Sequence, residues 1–265
     1  MKKFKFSIEV IKIFMHNQIQ DKSNLLLDMF NMFSRCFIVF LLYAYIFKLK
    51  GGVVNGVDYK TTMYSMFIYF CIMILNIRRI DQLIMNDVKS GSVELYMNKP
   101  VSYLFITFYK TIGKGLSSFL IISIIGTILM ITCLGVPNLN LSIFIPSFII
   151  TLILGQILGL IIYSIVGIAS FFIVDNRPIH WIVDKFVMIL GGSYLPISMF
   201  PPLMKKLAYI SPFGAINFAT STVYDSWNYE FIKRIGLQII WILVFVFILN
   251  IIYKKAKEKT MINGG

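Results

Sequence analysis

The sequence predicts an all-α polytopic membrane protein with six transmembrane helices, and two observations support that class. Of the 265 residues, 58% are hydrophobic and 14% are charged, whereas a soluble domain carries about 25% charged residues. The apolar residues also form runs of about 20, the length that crosses a bilayer core of roughly 30 Å. Because these runs and their short connections use most of the chain, we expect no soluble catalytic domain.

The formal charge of +13 is distributed as in a membrane protein. Lys and Arg residues flank the apolar runs and form no basic domain, so we expect no nucleic-acid partner. With both termini in the cytoplasm, the inner segments hold 17 Lys and Arg residues and the outer segments hold 7. The positive-inside rule therefore predicts a multi-pass protein of the cell membrane with both ends in the cytoplasm.

Residues 1–22 are predicted to form an amphipathic helix that lies in the membrane interface. Polar residues such as Lys5, Glu9 and Lys12 recur every three or four positions, and an apolar stripe opposes them. The basic face suits anionic lipid headgroups on the cytoplasmic side. An ordinary cytoplasmic cap helix is the alternative interpretation.

The membrane domain is predicted over residues 23–254, followed by a basic cytoplasmic tail at 255–265. Its six spans are placed at residues 25–47, 61–77, 115–134, 143–174, 181–195 and 235–253. The fourth span contains Gly155 and Gly159, a spacing that lets helices approach closely. We expect this pair either to pack within the subunit or to contact a second subunit.

The first span contains two charged residues, Asp28 and Arg35, which lie two helical turns apart on one face. A charge near the middle of a span costs roughly 2.5–3.5 kcal/mol on insertion scales. Arg35 is therefore expected to face a protein interface or a polar cavity, with partial compensation by Asp28. Alternatively, the span tilts or starts later, and Arg35 reaches the cytoplasmic headgroups.

The longest charged interval, Arg78–Lys114, separates the second and third spans, and a second, smaller cytoplasmic loop is predicted at Asp175–Lys185. The end of the interval, Tyr103–Lys114, is expected to run along or into the membrane interface before the third span. A helix is predicted to stop at Gly91, and Ser92 and Glu94 favour a second short helix after it. Pro100 ends that helix, because the residue before a proline is pushed out of the helical region. Mixed charged and apolar residues make this the largest predicted cytoplasmic surface for a partner. An ordinary solvated loop is the alternative.

Residues 196–230 are apolar but broken by prolines, which stand at Pro196, Pro201, Pro202 and Pro212. The segment is too broken to form one span and too apolar for a solvated loop. Non-helical backbone at membrane depth must be shielded by protein or line a cavity. The sequence therefore predicts short re-entrant helices on the outer face, between the fifth and sixth spans.

The sequence offers no motif for catalysis, for a cofactor or for a metal ion. It contains neither a phosphate-binding G-x-x-x-x-G-K-[ST] loop nor an H-E-x-x-H pair. His16 and His180 have no Cys or carboxylate at ligand spacing, so both are interpreted as ordinary interfacial histidines. Carboxylates are almost missing from the predicted spans, which disfavours a carrier driven by protons or sodium.

Three stretches resemble the membrane subunits of ABC type-2 transporters. They are the N-terminal interfacial helix, DVKSGSVELYMNKPVSY at Asp87–Tyr103, and YLPISMFPPL at Tyr194–Leu203 with the later SPF at Ser211–Phe213. The resemblance covers essentially the whole chain. It implies a non-catalytic half-permease of an exporter, paired with a second permease subunit that is identical or homologous. It also implies two copies of a separate ABC ATPase, which bind the ATP and Mg²⁺.

The resemblance further implies that the helix at residues 91–100 is the coupling helix, seated on the ATPase. Glu94 is the expected polar anchor, while apolar neighbours such as Leu95 fill a cleft of the ATPase. The predicted coupling residues are Asp87, Gly91, Val93, Glu94, Leu95, Met97, Lys99 and Pro100.

The proline-broken segment is expected to close the pathway on the outside. The predicted external gate residues are Pro196, Phe200, Pro201, Pro202, Pro212 and Phe213. An ATPase-independent channel, or a structural or immunity membrane protein, is the alternative function for the chain. The transported substrate stays open, and so, formally, does import.

Overall fold

The structure is a computed structural model, and it describes residues 2–97, 102–173 and 175–263. Most of these residues are helical. The α-helices in chain order are α1 Lys2–Gln20, α2 Lys22–Leu49, α3 Tyr59–Ile74, α4 Ile80–Lys89, α5 Glu94–Met97, α6 Tyr103–Leu134, α7 Leu141–Ile168, α8 Arg177–Leu190, α9 Pro202–Ile210, α10 Pro212–Ala215 and α11 Trp227–Asn263. Short 3-10 helices stand at Ile77–Arg79, Ala169–Phe171, Ile197–Met199 and Phe218–Val223.

The amphipathic N-terminal segment forms α1, which packs lengthwise on the first half of α6. Gly113 of α6 makes the close approach, because a Cβ there would lie 2.9 Å from the Ile11 carbonyl oxygen. Lys110 lies over the ring of Phe14, at 5.8 Å from its centroid. Asp21 then ends α1 and caps α2 by accepting a hydrogen bond from the Asn24 backbone N–H.

A two-residue hairpin turn reverses the chain between α2 and α3. Strands β1 Val53–Val54 and β2 Val57–Asp58 pair in antiparallel register, and Asn55 and Gly56 form the turn with φ of 51° and 77°. Asn-Gly favours this turn because both positions need positive φ. The predicted connection at 48–60 is thus an ordered hairpin.

Helix α3 lies at the centre of the bundle. Every residue from Thr62 to Ile72 is buried, because α2, α6 and the 218–223 turn pack around the helix. One hydrophobic cluster surrounds α2 and α3, and a second surrounds α4, α7 and α11. A span that is surrounded by other helices, as α3 is, therefore has its polar groups inside the protein and not against lipid.

The elements near the charged interval differ from the prediction in two ways. Helix α3 ends at Ile74, and Asn76 adopts a left-handed conformation (φ 55°) that breaks the chain before α4. The stretch expected to run along the interface before the third span is instead the start of α6, a continuous helix of 32 residues. Ser102 caps α6 by accepting from the Phe105 backbone N–H at 3.4 Å.

The second predicted cytoplasmic loop, Asp175–Lys185, is mostly helix. Helix α8 begins at Arg177, with Pro178 in its first turn, where the missing N–H of proline costs no hydrogen bond. It has 14 residues, or about 21 Å at the α-helical rise. Helix α11 likewise extends past the predicted sixth span and continues through the basic tail to Asn263.

Five helices in the described ranges are long and apolar enough to cross a membrane, judged by length and composition. They are Lys22–Leu49, Tyr59–Lys89, Tyr103–Leu134, Leu141–Phe171 and Trp227–Lys259. The predicted fifth span falls on α8, which is shorter than these five. The protein is therefore a helical polytopic membrane protein.

The bundle has two ends. The end that carries α4, α5, the start of α6 and the start of α8 is called the α4 end. The opposite end, called the hairpin end, carries the β1–β2 hairpin, the 135–140 connection and the segment at 196–226. Lys60 and Tyr64 join the first two of these by donating to the carbonyl oxygens of Val136 and Gly135.

Candidate functional site

The predicted coupling residues lie at the α4 end, on α4, α5 and the turn between them. Gly91 has a φ of 71°, the left-handed conformation expected after a helix end. The predicted residues Lys99 and Pro100, and the side chain of Met97, lie outside the described part of the chain.

Asp87 ties this turn to α6. The Tyr103 hydroxyl donates to Oδ2 of Asp87 at 2.8 Å, and the ring of Tyr96 packs on Tyr103 with centroids 5.6 Å apart. Val93 is 2% exposed and belongs to the subunit's own core. The expectation that Val93 fills a cleft of a partner is therefore wrong, because its side chain faces inward and holds the turn in place.

The outer face of the turn is formed by Glu94 and Leu95. Both side chains are exposed, and Leu95 is 71% exposed although it is a large apolar residue. An exposed leucine beside a carboxylate, held on an ordered turn, is a surface suited to a protein partner.

A network of charged side chains connects this region to α7 and α8. Arg78, just before α4, pairs with Asp184 of α8 at 2.5 Å, and the Tyr163 hydroxyl of α7 donates to the same carboxylate at 3.0 Å. Arg78 and Asp184 are largely buried, with side chains 21% and 16% exposed. No local pattern in the sequence predicted this pair, because 106 residues separate its members.

A second pair of titratable side chains lies one helical turn further along. Oδ2 of Asp81 is 2.7 Å from Nδ1 of His180, and the Asp81 side chain has no exposed surface. A contact this short requires one proton between the carboxyl oxygen and Nδ1. The interpretation of His180 as an ordinary interfacial histidine is therefore wrong. No local pattern in the sequence indicated that His180, near the start of α8, would have a buried partner.

A third pair near α8 is exposed and serves as a contrast. Arg177 donates to Asp175 from its side chain and from its backbone N–H. These hydrogen bonds lower the pKa of Asp175 to about 2. This pair lies at the start of α8 and in the short turn before it.

Helix α8 leads from this network to the predicted gate residues at the hairpin end. Phe186 of α8 stacks on Phe213, with ring centroids 5.5 Å apart and planes 22° from parallel. Gly214 lies so close to α8 that a Cβ there would be 3.1 Å from the Leu190 carbonyl oxygen. The network and the gate residues are therefore connected through one short helix.

The predicted gate residues form an ordered set of short helices whose breaks fall at the prolines. Phe200 is 5% exposed and packs with Ile197 and Ala208, whereas Phe213 is half-buried. Pro196 is buried, Pro212 is half-buried, and Pro201 and Pro202 are exposed.

Polar contacts anchor this segment to the long helices. Ser65 of α3 donates to the Thr220 carbonyl oxygen at 2.8 Å, and Gln238 of α11 donates to the Ala215 carbonyl oxygen at 2.8 Å. The Arg234 guanidinium lies over the Tyr209 ring, 3.4 Å from its centroid. The irregular backbone is thus shielded by protein, as such backbone at membrane depth requires.

The two glycines of the fourth span pack within the subunit. A Cβ on Gly155 would lie 2.2 Å from the Ile216 carbonyl oxygen, and one on Gly159 would lie 2.2 Å from Cδ1 of Ile77. Of the two alternatives, the close approach inside the subunit is the one the structure has.

The charged residues of the first span are not paired with each other. Arg35 is exposed on α2, and no ion pair joins it to Asp28 in the described residues. Asp28 instead lines a cavity together with Arg79 and Lys114. Partial compensation of Arg35 by Asp28 therefore does not take the form of an ion pair and stays a prediction.

Comparison with known families decides the identity of the chain. The sequence model of the ABC-2 family transporter proteins matches residues 29–264, which is most of the chain. The chain belongs to the ABC-2 transporter family. It is therefore a membrane component of an ABC transporter. No curated protein is similar enough to this ABC-2 protein to add a named relative.

Among the described residues, no group of three or more His, Cys, Asp or Glu side chains could hold a metal ion. The candidate functional site consists of the exposed turn at Glu94 and Leu95, the network on α8, and the gate segment.

Proposed function

We propose that this chain is the transmembrane subunit of an ATP-driven exporter and forms half of its substrate pathway. Six spans, with α8 as the short fifth, place both termini in the cytoplasm and the hairpin end outside. A separate ABC ATPase binds ATP and Mg²⁺ and docks on the turn at Glu94 and Leu95. A second permease subunit, identical or homologous, completes the pathway.

The observation that carries this proposal is the continuous connection from the exposed turn to the gate. The turn is held by the Asp87–Tyr103 hydrogen bond. The Asp81–His180 contact joins α4 to α8, and the Arg78–Asp184 ion pair joins the residues just before α4 to the same helix. Helix α8 in turn contacts the gate segment through the Phe186–Phe213 stack. If ATP binding by the ATPase displaced the turn, α8 and the gate segment would therefore move with it as one rigid body. Rigid-body rotation is a known kind of conformational switch.

An ATPase-independent channel or a structural membrane protein is the other candidate function. Such a protein would not need an ordered turn that exposes a leucine beside a carboxylate. The two classes differ in whether an ATPase is bound at this turn.

Two substitutions at the turn test the proposal. Glu94→Lys reverses the charge of the anchor, and Leu95→Asp removes the exposed apolar contact. The tagged chain is purified from its own membranes, and the co-eluting subunits, the ATPase activity and export are measured. Both variants should lose the ATPase by about tenfold or more, because truncating one partner of an interface pair typically costs 2–5 kcal/mol.

Matched controls come from the hairpin end, where no ATPase is expected. Asp225→Lys and Leu203→Asp make the same chemical changes at exposed positions. Both should keep the ATPase. If the turn variants retain the ATPase as well as the controls do, the coupling surface lies elsewhere, and the turn at Asp175–Arg177 becomes the next candidate.

A further inference from the structure

Two cavities follow one another in a groove between α2 and α6; α1 and α4 also line the first, and α3 forms the floor of the second. The cavity near the α4 end has a volume of about 630 Å³ and is mostly polar. The cavity nearer the hairpin end has a volume of about 420 Å³ and is almost wholly apolar. Both volumes lie in the range of small-molecule sites, roughly 300–1,000 Å³.

The polar cavity contains charges of both signs. Asp21 lines it from the turn before α2, and Asp28 lines it from α2 itself. Arg79 and Lys114 line it from the opposite side. Neither Arg79 nor Lys114 has an ion-pair partner within 4 Å in the part of the chain that the structure describes. The cavity thus presents two cations and two carboxylates, together with amide side chains such as Asn31.

The apolar cavity is built from large side chains and one small one. Phe37 and Phe40 line it from α2, Leu129 lines it from α6, and Phe67 forms its floor on α3. Ala44 leaves space at its far end and is exposed. An apolar lining of this kind suits a hydrocarbon chain.

The order of polar and apolar lining is the same along α2 and α6. On α2 the polar positions up to Asn31 precede the apolar ones, and on α6 Lys114 precedes Leu129. Helix α3 runs in the opposite direction, and the polar residue Asn76, beyond its end, follows Phe67. Lys114 and Gly126 are about 18 Å apart along α6, so a headgroup at Lys114 places the far end of an acyl chain at the apolar cavity. The groove therefore has a charged end and an apolar end, as a lipid has.

We propose that this groove is a binding site for a phospholipid whose headgroup carries both a phosphate and a primary amine. The Arg79 and Lys114 cations bind the phosphate, and Asp28 accepts hydrogen bonds from the ammonium group. An acyl chain occupies the apolar cavity. A primary amine fits better than a choline group, because methylated nitrogen cannot donate hydrogen bonds to Asp28 or to the amide oxygens.

Native mass spectrometry of the full-length protein in mild detergent tests the headgroup. Phosphatidylethanolamine and phosphatidylglycerol with the same acyl chains are added separately. The wild type should bind phosphatidylethanolamine about tenfold more tightly, since hydrogen bonds to a charged group are worth about that factor. Asp28→Asn should remove this preference, and Arg79→Gln with Lys114→Gln should weaken both lipids. Asp58→Asn and Lys48→Gln make the same changes at exposed positions near the hairpin end, outside both cavities, and should change the binding of neither lipid.

A second measurement locates the acyl chain and does not depend on the charge variants. Phosphatidylethanolamine with a photoreactive acyl chain should crosslink to residues 32–44 and 126–133, and Ala44→Trp should reduce that crosslinking by filling the cavity. Equal binding of the two lipids by the wild type would overturn the proposal. So would a preference for phosphatidylglycerol that survives Asp28→Asn, or crosslinks spread evenly over the exposed face of α11.

Discussion

The Asp81 carboxylate, which has no exposed surface, lies 2.7 Å from Nδ1 of His180. This contact joins α4 to α8. The Arg78–Asp184 pair joins the residues just before α4 to α8, one helical turn away. Two contacts side by side resist rotation of α4 relative to α8 better than one contact does. Under the proposed function, these contacts make α8 the element that follows movement of the turn at Glu94 and Leu95.

Removing His180 should destabilise the protein strongly. His180→Leu leaves the fully buried Asp81 carboxyl without its partner, and breaking a buried pair typically costs about 3–5 kcal/mol. The free energy of unfolding is measured by equilibrium unfolding in mixed micelles.

Arg177→Leu is the matched control for His180→Leu. It breaks an ion pair at the start of the same helix, but that pair lies at the surface, where an ion pair contributes at most about 1 kcal/mol. It should change the free energy of unfolding little. Equal losses in the two variants would contradict a special role for the Asp81–His180 pair.

Gly155 should tolerate an added methyl group less well than Gly159. The Cβ of Gly155→Ala would meet a backbone oxygen of Ile216, whereas that of Gly159→Ala would meet the flexible end of the Ile77 side chain. Overpacking typically costs about 1–3 kcal/mol, and we expect Gly155→Ala to reach the upper part of that range. Unfolding midpoints in detergent check this order.

Gly236 of α11 provides the control for both glycines, because a Cβ there has no neighbouring atom within 4 Å. Gly236→Ala should be neutral or stabilising by up to about 1 kcal/mol, the difference in helix propensity. If Gly155→Ala were as stable as Gly236→Ala, the close packing of α7 against Ile216 would be wrong.

Phe213 and Phe200 should behave differently when each is replaced by Ala. Phe200→Ala opens a cavity in a buried cluster and should cost about 3–5 kcal/mol. Phe213→Ala removes a half-buried ring stack and should cost about 0.5–1.5 kcal/mol beyond the lost burial. Under the proposed function, Phe213→Ala should loosen the gate and raise ATP turnover relative to export.

The readouts for these two variants are stability, ATP turnover and export in vesicles. Phe30→Ala is the control, because Phe30 is 71% exposed on α2 and contacts no gate residue. If Phe213→Ala exports and hydrolyses ATP at wild-type rates, Phe213 is not part of a gate.

The six-span topology predicts which side of the membrane each connection faces. Single cysteines at Asn55, Asn138 and Asp225 should react with an impermeant thiol reagent added outside, and cysteines at Lys89 and Lys257 should not. All five positions are exposed. Arg177 serves as an inside position in the connection before α8, since the neighbouring Asn176 is buried and would be unreactive on either side.

The native cysteines set the background for this labelling. Cys36 and Cys71 are buried, and only the exposed Cys133 needs replacement by Ser. Labelling of Lys89→Cys from outside, or protection of Asn138→Cys, would overturn the six-span arrangement.

Much of the fold followed from local patterns in the sequence. The 3.6-residue periodicity predicted α1, and the apolar runs predicted the long helices. Asn-Gly, Gly91 and the prolines marked the turns, because each has a backbone preference that acts over one or two residues. The boundaries were less certain. Pro178, for example, lies in the first turn of α8 and not in a loop. Proline is compatible with both positions, so its presence did not mark where the helix begins.

The sequence by itself determined the membrane class, the order of the helices and the location of the exposed turn at Glu94 and Leu95. Only the tertiary structure decided which charges meet. Arg78 pairs with Asp184, Asp81 pairs with His180, and Asp28 shares a cavity with Arg79 and Lys114. The tertiary structure also turned Val93 inward. Such partners are set by the packing of helices distant in the chain, and a residue's type and neighbours carry no information about which distant helix will lie beside it.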